Sequence, residues 1–294
     1  MPAGPRSRAG RRLARARSLA SLRKALARLR ARGERVAFVP TMGALHEGHL
    51  SLVRLARRSA ERVVVSVFVN PLQFGPREDY RRYPRPLARD RALLAAERVD
   101  LVWEPGVEDV YPPGDCTRVS VDGLSEVLEG ASRPGHYTGV CTVVARLLNA
   151  VQPDVLWLGQ KDAQQALVLE RMCRDLLLPV AVCRGPTVRE EDGLALSSRN
   201  AYLSHAERQQ AVALSQGLAA AWILLKEGER SAARLAAAIR REWDGYPLVR
   251  EDYIAIVHPE TLAPLQQVRG PALVAVAAHV GPARLIDNFP WRGR

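Results

Sequence analysis

Cysteine is scarce in this chain. Cys116, Cys141, Cys173 and Cys183 are the four in 294 residues, and no two stand at C-x-x-C spacing. That excludes a disulfide-built scaffold, gives no support to a zinc knuckle or dithiol redox pair, and suggests free thiols in a reducing compartment. No apolar run reaches about 18 residues, so no transmembrane helix is expected. The N-terminus has no apolar core of the kind a secretory signal needs. A nucleophile elbow, a Walker phosphate loop and a G-x-G-x-x-G run are also missing. Lysine is rare: of 43 basic residues only Lys24, Lys161 and Lys226 are not arginine. What is there is ordinary globular usage, 47% hydrophobic and 25% charged, which excludes a disordered, collagen-like or coiled-coil protein.

The net charge of +12 first suggests a nucleic-acid partner. Its distribution argues otherwise, because residues 1–35 carry +11 and everything after them carries +1. Residues 1–17 lack any sustained period and are expected to be a disordered basic leader. Leu19, Leu22, Leu26 and Leu29 then recur at helical spacing, with Gly33 as a stop. Much of the basic charge therefore belongs to the polar face of a first helix.

Strand-like apolar runs follow at 36–40, 63–69, 99–103, 154–158 and 179–183. Helical stretches at 49–58, 85–97, 140–151 and 164–177 lie between them. That alternation predicts a parallel sheet with helices on both faces, over 18–187. Beyond residue 187 the texture changes. One long helix is expected at 205–227, a second at 232–243, and strands at 253–257 and 273–277, making a smaller α+β domain over 188–294.

Four constellations could carry chemistry. The first is Pro40-Thr41-Met42-Gly43-Ala44-Leu45-His46-Glu47-Gly48-His49, between a strand and a helix. A helix N-terminus at the carboxyl end of a parallel strand offers free N–H groups and a positive dipole end to phosphate. His46 and His49 share a helix face and can reach one anion. A plain turn with surface histidines is the bland alternative, and no Cys or carboxylate of suitable spacing completes a zinc site. The second is Asn70-Pro71-Leu72-Gln73-Phe74-Gly75, where Asn70 and Gln73 can orient a hydroxy acid or simply mark a strand exit. The third is Gly159-Gln160-Lys161-Asp162-Ala163-Gln164-Gln165. A lysine is informative in a chain this rich in arginine, because it supplies a point charge suited to phosphate. Asp162 could pair with it, bind ribose hydroxyls or help hold Mg²⁺. The fourth runs from Thr187 and Val188 to Leu196-Ser197-Ser198-Arg199-Asn200, two hydroxyls and a guanidinium at the domain junction. Glu190, Glu191 and Asp192 read as solvated charge, His136 as a possible cleft residue, and His205, His258 and His279 as structural.

Together the segments 40–49, 70–75, 159–165 and 186–200 resemble the pantothenate synthetase (pantoate–β-alanine ligase) family, within the HIGH-type nucleotidylyl transferases, over residues 18–290. The resemblance implies a Rossmann-like domain with a C-terminal lid, a homodimer, and ATP and Mg²⁺ as requirements. The Arg-rich, acid-poor leader can mimic an organelle transit peptide, but the Ala/Arg bias fits a high-GC bacterial genome equally well, so a cytoplasmic protein is expected. Pantoate would react with ATP to give pantoyl adenylate and pyrophosphate, and β-alanine would then displace AMP. It further implies that Met42, Gly43, Ala44, Leu45, His46, Glu47, Gly48 and His49 bind ATP. Gly159, Gln160, Lys161, Asp162, Val188, Leu196, Ser197, Ser198 and Arg199 would bind it too. His49 matches the family's proton donor. His46, Lys161, Ser197, Ser198 and Arg199 would complete the phosphate cage, and Gln73, Gln165 and Asn70 would take pantoate or β-alanine. Gln160 and Leu196 stand where some members carry Glu and Met. Two other readings remain: a nucleotidylyl transferase with a different acceptor, and a nucleic-acid binder using the leader.

Overall fold

The structure, a computed structural model, describes residues 12–75 and 80–293. Its first strand is β1 (Ala14–Ala16). This corrects the expectation of a disordered leader through residue 17. Ala14 N–H donates to the Asp100 carbonyl at 3.1 Å and Glu104 N–H to the Ala16 carbonyl at 2.9 Å. Three residues are too few to show a period, so the pairing is invisible until its partner strand is in place. The rest of the expected leader, residues 1–11, lies outside the described residues.

Helix α1 (Leu19–Arg30) follows, capped by the Ser18 side chain, which accepts from Ser21 N–H. Leu22 and Leu26 are fully buried, while Leu19 and Leu29 pack at the margin of the core. Then come β2 (Val36–Thr41), α2 (Glu47–Ser59), β3 (Arg62–Val67), α3 (Leu87–Ala96), β4 (Leu101–Trp103) and the short α4 (Val107–Val110) and α5 (Glu129–Ser132). After them run α6 (His136–Val151), β5 (Val155–Gly159), α7 (Ala163–Asp175) and β6 (Ala181–Gly185). The six strands form one parallel sheet in the order β1-β4-β3-β2-β5-β6. Both its faces are covered, by α1, α6 and α7 on one side and by α2 and α3 on the other. This is why β2 and β3 are apolar along almost their whole length.

The chain leaves β2 toward β3 and β4, then crosses back to β5 and β6 on the other side. The crevice between the carboxyl ends of β2 and β5 is therefore the topological switch point, where open α/β sheets bind ligands.

The remaining residues build a second core. The stretch expected as one helix is broken at Ala211–Val212 into α8 (His205–Gln210) and α9 (Ala213–Glu227). Helix α10 (Ala232–Trp243) and an antiparallel sheet of β7 (Val249–Val257), β8 (Ala272–Val280) and β9 (Ala283–Trp291) complete it. Strand β9 was not anticipated, because Asp287, Asn288 and Pro290 interrupt any apolar alternation. Ala163 and Leu167 of α7 pack with Val257, Leu262, Leu273 and Ala275 in a cluster that joins the two parts. Ion pairs reinforce the junction. Glu129 accepts from Arg284 Nη1 at 2.6 Å and from the Tyr253 hydroxyl at 2.9 Å.

Candidate active site

A cleft of about 870 Å³ opens at the switch point, within the usual size of small-molecule sites. One wall is Met42, His46, Gly48 and His49, another Gly159, Lys161, Asp162 and Gln165, and a third Val188, Leu196, Ser197, Ser198 and Arg199. Asn70 and Gln73 also line the cleft, with Gln73 Nε2 donating to Met42 Sδ at 3.2 Å. All four constellations thus meet in one place.

The two histidines are built into the start of α2. His46 is the N-cap and His49 the third helical residue. Gly48 N–H donates to His46 Nδ1 at 3.2 Å, and His46 N–H donates to His49 Nδ1 at 3.4 Å. The ring centroids are 4.1 Å apart. Because each Nδ1 accepts, each neutral ring carries its proton on Nε2. Burial, assisted by the nearby Lys161 charge and opposed by Asp162, lowers the His46 pKa to about 4. Burial and the neighbouring His46 lower that of His49 to about 3. Near neutral pH the pair is therefore two N–H donors without charge, set where the helix dipole already favours an anion.

We expect imidazole ¹⁵N spectra to show His46 and His49 as neutral Nε2–H tautomers from pH 7 down to pH 5.5. A midpoint near 6.5 at either ring would contradict the geometry. The sign for stability follows. Between pH 6.5 and the depressed folded values the unfolded chain binds more protons, so the histidines' contribution is complete above about pH 6.5 and is lost as pH falls toward 4 and 3.

The run from Met42 to His49 does not face the cleft throughout. Leu45 is buried in the core beneath α2. Glu47 is exposed and paired with Arg54. Gly43, Ala44 and Gln160 are also absent from the cleft lining. The N–H groups of Ala44 and Leu45, two residues of the stretch expected to bind ATP, both donate at 2.9 Å to the carboxylate of Asp90 on α3. Asp90 is 1% exposed. Gly43 sits over it at φ +83°, where a Cβ would come within 2.9 Å of Asp90 Oδ2. Sequence reasoning missed Asp90, and nothing near it in the sequence signals the contact. Asp90→Ala strands one buried and one half-buried donor, and we expect it to lower unfolding stability by roughly 2–4 kcal/mol in urea titration. A loss below ~0.5 kcal/mol would show that the loop holds itself.

Asn70 is also revised. It is 1% exposed, and its amide is spent on protein. Nδ2 donates to Gln73 Oε1 and the Gly139 carbonyl, both at 3.1 Å, while Oδ1 accepts from the Tyr111 hydroxyl at 2.7 Å and from Leu72 N–H at 3.3 Å. Burial pushes the Tyr111 phenol pKa upward, so it stays a donor. Asn70 thus holds Gln73 rather than presenting a free group. The Gln73 carbonyl accepts from His136 Nδ1 at 2.8 Å, which places His136 in the cleft as anticipated. Gly139 lets α6 touch this turn, since a Cβ there would lie 2.2 Å from the Leu72 carbonyl oxygen. The adjacent glutamines Gln164 and Gln165 both border the cleft, but the Gln164 amide is spent on protein, donating to the Leu124 and Val127 carbonyls.

Lys161 Nζ lies 3.6 Å from Asp162 Oδ1. The Ser197 hydroxyl accepts from Arg199 N–H at 3.2 Å, which shapes the turn that carries Ser198 and Arg199. Glu190 and Asp192 pair with Arg208. Among the described residues there is no group of three metal-ligating side chains. His279, read as structural, lines the cleft from β8. Thr187 of the fourth constellation lines it too, together with Tyr83 and Arg133, which no motif singled out.

A family model for pantoate-beta-alanine ligase matches residues 14–290. The chain belongs to the pantoate-beta-alanine ligase family. The match begins at β1, four residues before the span first expected. A pantothenate synthetase from Moorella thermoacetica is 53% identical over 271 residues, 92% of this chain and 96% of that one. One from Thermotoga neapolitana is 52% identical, over 92% and 97%. The crystal structure of pantothenate synthetase from Thermus thermophilus aligns with TM-score 0.90 and 54% identity, covering 94% of this chain and 99% of that chain. A pantoate-beta-alanine ligase from Francisella tularensis, complexed with beta-gamma ATP and beta-alanine, aligns with TM-score 0.77 and 31% identity over 95% and 97%. The ligase forms an amide bond, and its cleft lies at the sheet's switch point.

Proposed function

We propose that this ligase condenses pantoate with β-alanine in two steps at the one cleft, using ATP. A pantoate carboxylate oxygen attacks the α-phosphorus, the Pα–O–Pβ bond breaks, and pyrophosphate leaves. The β-alanine nitrogen then attacks the carbonyl carbon of pantoyl adenylate, the carbon–oxygen bond to phosphate breaks, and AMP leaves. The observation that carries this reading is convergence. Two uncharged histidine N–H donors, the Lys161 ammonium and the Ser197-Ser198-Arg199 turn surround one space at the start of α2. A transition state that gathers negative charge on phosphate is stabilised by donors held in place beforehand.

His49 Nε2–H, matching the family's proton donor, and His46 Nε2–H would donate to phosphate oxygens. Gln73 and Gln165 would hold pantoate. The beta-gamma ATP and beta-alanine in the complex of the Francisella relative support ATP and β-alanine as substrates. Mg²⁺ would arrive with the triphosphate and neutralise its charge. Asp162, half-exposed in the cleft, suits that arrangement, because Mg²⁺ takes one or two carboxylates besides phosphate and water. We also place the enzyme in the cytoplasm as a homodimer, on the family resemblance together with four unpaired cysteines. Light scattering should return the mass of two chains.

The test of function is exchange of labelled pyrophosphate into ATP. It should require pantoate and proceed without β-alanine. No exchange with pantoate would overturn the reading, and exchange driven by a phosphorylated alcohol instead would make the protein a nucleotidylyl transferase.

A further inference from the structure

The middle of the unanticipated strand β9 lies against the two loops that carry the phosphate-binding candidates. Asn288 is 5% exposed, and its side chain spans the break between β5 and α7. Its Nδ2 donates to the Gln160 carbonyl at 3.1 Å and to the Lys161 carbonyl at 2.8 Å, and its Oδ1 accepts from Gln160 Nε2 at 3.0 Å. The preceding residue, Asp287, is also buried. It accepts from Arg189 through both oxygens, at 2.5 and 3.0 Å, and from the Asn288 N–H at 2.8 Å. Arg189 opens the loop that returns through an Arg189–Ala195 bridge to Ser197, Ser198 and Arg199. Two consecutive residues of the second sheet therefore grip both loops at once.

We propose that Asp287 and Asn288 are positioning residues for the nucleotide site. Asn288 sets the height of the Lys161 backbone, Asp287 sets the loop that ends in Arg199, and their adjacency on one strand fixes the distance between the two. This inference rests on the reading that Lys161 and Arg199 meet ATP. Packing alone does not account for the arrangement. A turn of backbone carbonyls beside a ligand cleft could be satisfied by water, whereas here a buried amide satisfies two of them and accepts back from Gln160. A shift near 1 Å in a substrate-positioning group can cost about 10²-fold in rate, so contacts of this kind are felt in catalysis. Gln160, which does not itself line the cleft, acquires a role as the partner that fixes the orientation of the Asn288 amide.

The experiment uses the full-length enzyme with Asn288→Ala, Gln160→Ala and the double variant, each checked for a native circular dichroism spectrum. Asn288→Ala is expected to weaken ATP binding, measured calorimetrically without pantoate, by at least about 10-fold and to lower kcat by about 10- to 10²-fold. KM for pantoate should change less than about twofold, because Gln73 and Gln165 stand on other elements. A purely structural role would not divide the two substrates in this way. In the double variant the losses should fall well short of multiplying, as for residues that act through one contact. A folded Asn288→Ala enzyme with ATP affinity and kcat within about twofold of wild type would overturn the proposal. If Asn288→Ala does not fold, Gln160→Ala decides, with unchanged ATP affinity as the contradicting result. Wild-type enzyme that binds ATP but shows no pantoate-dependent exchange would remove the proposed function, while the binding comparison still judges Asn288. Wild-type enzyme that binds no ATP contradicts both.

Discussion

Lys161→Ala is expected to lower pantoate-dependent ATP–pyrophosphate exchange by about 10²–10³-fold, the scale for removing one preorganised charged contact to a developing anion. The position supports a large effect. The Lys161 side chain is one-fifth exposed, its ion-pair partner Asp162 lies 3.6 Å away, and the two histidines beside it carry no charge near neutral pH. On the proposed function, Lys161 is the cation that would meet the phosphates from the β5 side. Lys161→Arg should recover little, because a planar fork on a longer side chain does not fill the place of a compact ammonium. KM for pantoate should stay near the wild-type value. Turnover of Lys161→Ala within about fivefold of wild type would refute the role.

His49→Ala is the second large effect, a loss of at least about 10²-fold in the same exchange. Two things go at once. The Nε2–H donor disappears, and so does the Nδ1 acceptor that holds the His46 N–H and thereby sets the start of α2. His49→Gln can restore an N–H donor at similar reach and should retain more activity than His49→Ala. The depressed histidine pKa values add a pH signature. Since both rings protonate only near pH 4 and below in the free enzyme, kcat/KM for ATP should show no acid limb with a midpoint between 6 and 7. A limb in that range, lost in His49→Ala, would mean that the ring titrates where an exposed histidine does.

Both effects fall on residues that the sequence makes visible, and the reason is local. His46, His49, Lys161, Gln73 and Ser197-Ser198-Arg199 each sit where a strand or a domain ends, and strand ends are legible from apolar runs followed by glycine or proline. The direction in which each side chain points is not legible. Within Met42–His49 the chain alternates between cleft and core, so Leu45 turns into the core and Glu47 turns out to Arg54 although both belong to the motif. Asp90, Asn70 and Asn288 were missed or misassigned for one reason. Each makes contacts that are remote in sequence, Asn70 to Tyr111 and Gly139 besides its local ones, and a buried amide or carboxylate that satisfies backbone groups looks like any surface polar residue until the fold is known. β1 and β9 escaped because one is too short and the other too polar to carry a pattern.

The acyl adenylate is the central step of the proposed function. Pantoate labelled with ¹⁸O in its carboxylate should pass one labelled oxygen to AMP during pantothenate synthesis, because the oxygen that attacks the α-phosphorus leaves with it when β-alanine displaces AMP. Mass spectrometry of the nucleotide product reads this directly. AMP carrying one ¹⁸O per pantothenate formed is the predicted result. Unlabelled AMP, or ADP with the label in inorganic phosphate, would contradict it.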